Sequence, residues 1–491
     1  MKTVGRVTLL LCFTSLLWLQ AGVSGVSGTQ VGNAEPDFAA IDAYVVAQMK
    51  DLHLPGLALG IVHGDRIVHL KGFGIADPSR RPVTPQTPFI IGSTSKSFTA
   101  LAIMQLVEGG RIGLDTPVQH YLPWFRVADP DGSARITVRQ LLHQTSGLST
   151  KSGRDQASTL SDDALEQPVR SFRNMPLAQP IGKTYQYSGA NYATLGMIVQ
   201  AVSGQSYEAY VKQHIFTPLE MRRSYASQLE AQQNGMAMGY RFWFGMPVAA
   251  NLPYNRGSLP QGYLISSAED MSHYLIAQLN GGRYKTASIL SSTGITAMHQ
   301  PPVHPGMTET SYAMGWKVGP INGVPTVWHD GSVFNFHANM VLIPAGRWGI
   351  VVLKNAYNSP DEFTGTNRLS GIAAGITTLL SGGQPPAVPS NIALYLFYGI
   401  PLLIVAFQIV GMIRSGLDLR DWRAHPDHRP HVRARLFRVI GGPLALNLAW
   451  ALTILVGLPQ VLGSLSMVLA GFPDLGYVLI GSGVVALGWS V

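Results

Sequence analysis

The pattern of apolar and polar positions predicts strands at both ends of a mixed region and helices between them. Residues 56–77, GLALGIVHGDRIVHLKGFGIAD, carry β-branched residues on both sides of a turn at His63-Gly64-Asp65, which is typical of a β-hairpin. Residues 338–358, ANMVLIPAGRWGIVVLKNAYN, predict two strands around a Pro-Ala-Gly-Arg turn. Between them, SKSFTALAIMQLVEGG has apolar residues at helical spacing and stops at two glycines. The order predicts one α+β domain that carries a helical insertion.

The end of the chain is much more apolar than the mixed region. Three runs, 391–413, 439–463 and 474–491, are nearly free of charge and long enough to predict membrane-spanning helices. A proline-rich stretch, QPPAVPS at 384–390, comes before the first run and predicts a linker. We therefore expect a domain at 29–383 followed by a membrane tail with about three spans.

Charge at the two ends predicts the orientation of the chain in a membrane. The segment 414–438 contains seven arginines, and the positive-inside rule places such a loop in the cytoplasm. The first 28 residues, MKTVGRVTLLLCFTSLLWLQAGVSGVSG, have basic residues, a short apolar core and small residues, which is typical of a cleavable export signal. An uncleaved anchor helix is the alternative. Both observations predict an extracytoplasmic domain on a multi-pass tail.

Composition limits the chemistry and the partners. The only cysteine, Cys12, lies in the export signal and follows Leu11 in the apolar core, so we expect no lipidation, disulfide or cysteine-bound metal in the mature chain. The formal charge is +8, but two basic residues lie in the signal and seven in 414–438. Residues 29–413 contain the remaining 26 basic residues and 23 acidic residues. This charge is nearly balanced, so nucleic acid is not an expected partner.

A serine and a lysine three positions apart precede the apolar run of the predicted helix. In FIIGSTSKSFTALAIMQL, Ser93 and Lys96 share one helix face, where a lysine of lowered pKa can remove the hydroxyl proton. The alternative is that Ser93 caps the helix and Lys96 is a surface lysine. Against it, Lys96 is the only lysine in the chain with a serine three positions earlier. The pair predicts a nucleophile and its base.

Six blocks of sequence carry a resemblance to a known family. They begin with LPGLALGIVHGDRIVHLKGFGIAD and TPFIIGSTSKSFTALAIMQLVEGGRIGLDTPVQHYLP, and they continue with ITVRQLLHQTSGL, YQYSGANYATLGMIVQAVSG, GYLISSAEDM and HDGSVFNF. In this order they resemble the serine β-lactamase and penicillin-binding-protein-like hydrolases, including class C β-lactamases, D-alanyl-D-alanine carboxypeptidases and related esterases. The resemblance implies an antiparallel sheet flanked by helices with a helical subdomain, and it leaves the tail uncovered.

The same resemblance implies roles for individual residues. Ser93 would be the acylated nucleophile, Lys96 its partner, and Tyr187 a phenolic proton shuttle. The backbone N–H groups of Ser93 and Ser332 would form the oxyanion hole. Substrate contacts would come from Gly189, His329 and Gly331. Without the family, Tyr187 could be a core aromatic, with Tyr185 and Tyr192 nearby, and His329 a structural histidine.

Three positions depart from the family pattern. Gly189 stands where the family often has asparagine, so a hydrogen bond to the acyl amide of a substrate is lost. His329 stands where carboxylate-binding members have lysine, and histidine is mostly neutral at pH 7. Both changes argue against β-lactams and D-Ala-D-Ala peptides as natural substrates. Gln144 stands where histidine is more frequent, and His143 is expected only to support its loop.

The sequence predicts a membrane-tethered serine hydrolase that attacks an amide or ester through an acyl-Ser93 intermediate. Its expected partners are a small-molecule or peptide acyl donor and the membrane, with protein partners left open. No metal or organic cofactor is called for. Two alternatives remain. One is a penicillin-binding sensor that is acylated without turnover, and the other is a non-catalytic module that binds a ligand in the cleft that serves as the active site in the family.

Overall fold

The computed structural model describes residues 36–150, 161–251, 253–301, 309–387, 392–424, 441–457, 468–469 and 471–490. The predicted export signal lies outside the described residues, as do 425–438 of the predicted cytoplasmic loop and part of the second predicted span.

Fourteen strands are described in these ranges. They are β1 Gly56–His63, β2 Arg66–Gly74, β3 Phe89–Ile90, β4 Tyr240–Trp243, β5 Met246–Ala249, β6 Ile265–Ser266, β7 Arg283–Tyr284, β8 Ala287–Ser288, β9 Ser311–Tyr312, β10 Lys317–Ile321, β11 Val324–Val333, β12 Phe336–Ile343, β13 Trp348–Lys354 and β14 Ala356–Tyr357. The predicted hairpins correspond to β1–β2 and β12–β13, which turn at the predicted positions.

Seven strands form one antiparallel sheet in the order β2-β1-β13-β12-β11-β10-β9. Strand β1 pairs with β13, with His63 opposite Trp348, so the strands of this sheet that come first and last in the chain lie side by side. Strand β11 pairs with β12 as far as Val333 opposite Phe336. The β11–β12 turn therefore lies at the end of the sheet opposite to the β1–β2 turn.

Among the described residues, thirteen α-helices belong to the domain that contains this sheet. They are α1 Phe38–Asp51, α2 Ser95–Glu108, α3 Val118–Tyr121, α4 Pro130–Arg135, α5 Val138–Leu142, α6 Glu166–Ser171, α7 Gly189–Ser203, α8 Tyr207–Val211, α9 Gln228–Gln233, α10 Ala268–Leu279, α11 Ser292–His299, α12 Ser359–Phe363 and α13 Arg368–Leu380. Together with the sheet they confirm the predicted α+β class and the helical insertion between the terminal strands.

Apolar side chains cover both faces of the sheet. On one face, Val62, Val351 and Leu353 join a large core with α2, α7 and α10. On the other face, a second core packs Leu59 and Val352 against α1 and α13. Burial on both faces explains why β12 and β13 read as nearly continuous apolar runs.

Helix α2 lies inside the larger core. Phe98, Leu101 and Ile103 are fully buried, and so are the polar residues Ser95 and Thr99. The helix ends at Gly109, as the sequence predicts. It begins two residues later than the predicted nucleophile, because Gly92–Thr94 form a 3₁₀ turn at its start.

The described parts of the tail include three further helices: α14 Ile392–Ala424, α15 Gly442–Leu452 and α16 Pro473–Ser490. Helix α14 is longer than the predicted span 391–413, since it continues through the first part of the predicted loop. Its segment Ile392–Asp418 is the one candidate in the described parts of the chain with the length and hydropathy to cross a membrane. Helix α16 starts within one residue of the predicted third span.

Tail and domain make direct contacts near the starts of α14 and α16. The carboxylate of Asp474 accepts the backbone N–H of Phe244, which lies in the β4–β5 turn, at 2.6 Å. The ring of Trp243 stacks on Tyr477 with centroids 5.9 Å apart. Phe363 of the domain packs against Phe397 and Phe472. These contacts fix one end of the tail on the β4–β5 hairpin and α12.

Candidate active site

The side chains of Ser93 and Lys96 meet at the start of α2. The Lys96 ammonium Nζ lies 3.0 Å from the Ser93 hydroxyl Oγ and 2.6 Å from the carbonyl oxygen of Gln261. The lysine side chain extends from the first turn of α2 back over the 3₁₀ turn that holds the serine. The structure thus brings together the two residues that their spacing predicts, with a carbonyl group that the spacing could not reveal.

Burial changes the chemistry of the Lys96 amine. The residue is only 2% exposed. Burial lowers the pKa of Lys96 to about 7, with Lys317 acting in the same direction and the carboxylate of Asp330 opposing both. A large fraction of this amine is therefore neutral at pH 7, and a neutral amine can accept the proton of a nearby hydroxyl.

Of the tyrosines Tyr185, Tyr187 and Tyr192, Tyr187 lies nearest the pair. Its ring centroid lies 4.8 Å from Lys96 Nζ, and the Tyr192 ring is 5.8 Å from the same ammonium. Burial raises the pKa of the Tyr187 phenol well above 10, while its hydrogen bond with Ser93 acts in the opposite direction. Tyr185 is about half exposed, and the Tyr192 hydroxyl donates to Leu142 O at 2.9 Å. Position in the structure thus distinguishes Tyr187 from Tyr185 and Tyr192, which the sequence alone did not.

Strand β11 packs directly against the 3₁₀ turn of Ser93. A Cβ at Gly331 would come within 2.8 Å of the Ser93 nitrogen, and one at Gly92 within 2.5 Å of the Ser332 nitrogen. Gly92 also has a φ of +55°, which favours glycine. Side chains at these two positions would separate the strand from the turn. The glycines therefore allow the backbone N–H groups of Ser93 and Ser332 to lie close together.

The imidazole of His329 lies at the site, and both of its ring nitrogens contact groups of the same chain. Its Nε2 is 3.2 Å from the hydroxyl of Tyr312, and its Nδ1 is 2.5 Å from the carbonyl oxygen of Asp330. Burial, together with the charge of Lys317, lowers the pKa of His329 to about 3. The imidazole is therefore neutral at pH 7, in contrast to a carboxylate-binding lysine.

An ion pair occupies the opposite face of β11. The ammonium of Lys317 on β10 binds the carboxylate of Asp330 and lies over the ring of Trp328. Burial on its own would raise the pKa of Asp330, but Lys317 and His329 bring it well below its usual range. The sequence offered no local signal for this pair, since the two residues meet only through the pairing of β10 with β11.

The remaining departures from the family pattern lie around the start of α7. Gly189 is the first residue of this helix, directly after Ser188, which caps it. Gln144 is buried, has a φ of +60°, and accepts the backbone N–H of Ser188 at 2.9 Å. Gln144 thereby fixes the segment that carries Tyr187. His143 is buried beside it, in keeping with the supporting role expected for it.

A buried amine, a hydroxyl, a phenol and two converging backbone amides are a set of groups suited to acyl transfer through a serine ester. A family model described as beta-lactamase matches residues 41–374, which is more than half of the chain. The chain belongs to this family of serine hydrolases.

The relatives include proteins of different organisms. Protein flp of Staphylococcus aureus strain MW2 is 31% identical over 318 residues, which are 64% of this chain and 62% of that protein. Unguisins hydrolase ungD' of Aspergillus campestris is 29% identical over 342 residues, or 66% of this chain and 62% of that protein. The chain thus spans 62% of the length of these curated relatives.

A solved structure confirms the fold. The octameric penicillin-binding protein homologue from Pyrococcus abyssi superposes with a TM-score of 0.61 and is 30% identical, covering 75% of this chain and 81% of that one. The predicted β-lactamase/transpeptidase-like fold is therefore confirmed.

Proposed function

We propose that this chain is a membrane-tethered, extracytoplasmic serine hydrolase that cleaves an amide or ester bond through an acyl-Ser93 intermediate. The observation that carries the proposal is the 3.0 Å contact between Ser93 Oγ and a lysine amine whose pKa burial lowers to about 7. This contact supplies a nucleophile and a base at physiological pH.

In the proposed acylation step, neutral Lys96 takes the proton of Ser93 as Oγ bonds to the substrate carbonyl carbon. The backbone N–H groups of Ser93 and Ser332 hydrogen-bond the oxygen that becomes negative. When the tetrahedral intermediate collapses, the bond to the leaving amine or alcohol breaks. Tyr187, whose phenol stays protonated, donates to that leaving group and regains its proton from the Lys96 ammonium.

Water completes the proposed cycle. Lys96, again neutral, takes a proton from water as the water oxygen bonds to the acyl carbon. When this second intermediate collapses, the bond from the carbon to Ser93 Oγ breaks, the Lys96 ammonium returns its proton to Oγ, and the acid is released. Substrate contacts are proposed for Gly189 and Gly331, where backbone lies close to the site. His329, neutral and bonded on both nitrogens, is proposed to shape the site floor without charge.

The residues around the proposed site favour esters or uncharged amides as substrates. A neutral His329 provides no cation for a substrate carboxylate, and Gly189 provides no side-chain amide. Lys317 does not replace that cation, because its ammonium is bonded to Asp330 on the other face of β11.

The tail supports the proposed tether. Helix α14 exposes large apolar side chains over its length, among them Tyr395, Leu403 and Phe407 at 67%, 59% and 74%. An apolar surface of this extent calls for a lipid environment. Tyr398 contacts the domain at Phe244. The helix continues for 26 residues from there to Ala424, roughly 39 Å at 1.5 Å per residue. Its arginine-bearing end is therefore proposed to be cytoplasmic and the domain extracytoplasmic.

Intact-mass spectrometry of the full mature chain in detergent tests the proposed reaction. The chain is incubated with p-nitrophenyl acetate and, separately, with a penicillin, beside a Ser93→Ala control. A transient adduct on Ser93 with continuing product release is expected from the ester. A permanent adduct would replace the hydrolase with an acylated sensor, and the absence of any adduct would leave a binding module.

A further inference from the structure

An apolar rim projects from the domain where the tail docks. It consists of Phe244, Met246 and Val248 of the β4–β5 hairpin and Phe363 of α12. These side chains are 49%, 58%, 45% and 62% exposed. Met246 and Val248 point the same way, since side chains two apart share one face of a strand. Four large apolar groups at one place are more than the scattered exposed residues of a soluble surface.

An aromatic residue occupies the tip of this hairpin, although the backbone conformation there favours glycine or asparagine. Phe244 and Gly245 form the two-residue turn, with φ values of +46° and +82°. Asparagine or glycine suits the first of these positions, and a bulky residue is an outlier there. A phenylalanine at the tip of an exposed turn indicates that its ring has an apolar contact to make.

The rim is continuous with the tail helices. Phe244 packs on Tyr398 of α14 with centroids 5.7 Å apart. Phe363 packs on Phe397, one residue earlier in the same helix. The rim therefore meets α14 near the domain end of the proposed span. At this level a bilayer has its boundary between headgroups and acyl chains, where aromatic residues concentrate.

Strand β11, which carries Ser332 of the proposed oxyanion hole, ends close to the docked tail. Phe334 follows Ser332 by two residues, in the turn between β11 and β12. A Cβ at Gly471, two residues before α16, would lie 3.4 Å from the Phe334 ring. Two residues of extended chain span roughly 7 Å, so Ser332 of the proposed oxyanion hole lies about that far along the chain from a residue that packs against the docked tail.

We propose that the apolar rim rests in the headgroup–acyl boundary of the membrane and presents the Ser93 site to amphiphilic acyl donors that reside in the bilayer, such as long-chain esters. The proposal rests on the hydrolase and the tether proposed above. The occupant of the rim is the lipid surface itself, because the apolar surface of the rim continues into that of α14.

Site-specific labelling tests the location of the rim independently of activity. The chain has one cysteine, Cys12, so in a Cys12→Ser background Met246→Cys provides a unique site for an environment-sensitive NBD fluorophore in full chain reconstituted into phosphatidylcholine vesicles. Asp65→Cys is the matched control, since Asp65 is exposed in the β1–β2 turn at the opposite end of the sheet. Brominated lipid is expected to quench the label at 246 and leave the label at 65 unchanged. Equal quenching at the two positions, or none at 246, would overturn the proposal.

Activity tests the proposed class of substrate. In the Phe244→Asn/Met246→Gln variant, asparagine fits the left-handed turn, so the hairpin remains able to fold. Hydrolysis of p-nitrophenyl palmitate in vesicles is expected to fall about fivefold or more, because apolar contact with the bilayer is lost. Hydrolysis of soluble p-nitrophenyl acetate should change by less than about twofold.

Equal loss on the two esters, or equal retention, would refute the preference for bilayer substrates. If the native chain hydrolyses neither ester, the proposed hydrolase fails on esters. The labelling result then still decides whether the rim contacts lipid, so the two failures are distinguishable.

Discussion

Two lysines that the structure describes as buried, Lys96 and Lys354, have similar burial and different surroundings. Lys96 is 2% exposed and Lys354 is fully buried. Burial lowers the pKa of both amines, to about 7 for Lys96 and well below 10.5 for Lys354, and the charge of Asp330 opposes the shift in both. Each amine also donates to a backbone carbonyl oxygen.

Their other partners separate them. Lys96 contacts the hydroxyl of Ser93, whereas Lys354 donates to the amide oxygen of Asn339 at 2.5 Å and to Leu369 O at 2.8 Å. The polar groups around Lys354 continue through Ser370 and His337. A lowered pKa alone thus fails to identify a catalytic lysine. The Ser93 hydroxyl within reach of Lys96, beside the proposed oxyanion hole, distinguishes the two regions.

The polar network around Lys354 nevertheless reaches Ser332, next to the proposed site, through His337. His337 Nδ1 lies 3.0 Å from the Ser332 hydroxyl, and His337 Nε2 lies 3.1 Å from the Ser370 hydroxyl. Ser332 is opposite His337 in the β11–β12 pairing. The region of Lys354 thereby contacts the strand that carries Ser332, whose backbone amide is proposed for the oxyanion hole, while the region of Lys96 is proposed to move protons.

The largest expected effect is on catalysis by Lys96→Met. This substitution keeps most of the buried volume and removes the proposed base, so kcat for p-nitrophenyl acetate should fall by about 10³-fold. Lys354→Met is the matched control, and its kcat should stay within about tenfold of the native value. Stopped-flow release of p-nitrophenol measures both. Comparable losses in the two variants would contradict the distinction between the regions.

For Lys354→Met we expect a loss of stability instead. The buried oxygens of Asn339 and Leu369 lose their donor, and each unsatisfied buried acceptor costs about 1–3 kcal/mol. The free energy of unfolding should fall by about 2–6 kcal/mol, as measured by urea denaturation of the full chain in detergent. An unchanged midpoint would show that these two oxygens find other donors.

The pH profile sharpens the role of Lys96. Its amine must be neutral to accept a proton, and its pKa is about 7. Therefore kcat/KM should fall about tenfold per pH unit below this value and level off above it. His329, with a pKa near 3, stays neutral across the range. His329→Gln should leave the acid limb in place, and a limb that disappears in this variant would identify the histidine as the titrating group.

Sequence patterns predicted the fold and the chemical pair because both depend on local spacing. The i, i+3 relation of Ser93 and Lys96 and the alternation in β1, β2, β12 and β13 are written in short stretches. Contacts that join distant segments left no such signal. Gln261 O meets Lys96 across 165 positions, and Asp474 reaches Phe244 across 230. The sequence showed Asp474 as the one charge after Arg438 but gave no reason for it.

The smallest expected effect is a displacement of the acid limb by Lys317→Met. The ammonium of Lys317 lowers the pKa of Lys96, and the carboxylate of Asp330 raises it. Without Lys317, Asp330 acts uncompensated, so the limb should move to higher pH by on the order of 0.5–1 unit. Lys71→Met is the control, because Lys71 lies on the opposite edge strand, β2, and forms an ion pair with Asp42 of α1. A shift to lower pH, or an equal shift in both variants, would mean that the charges on β10 and β11 do not set the protonation of Lys96.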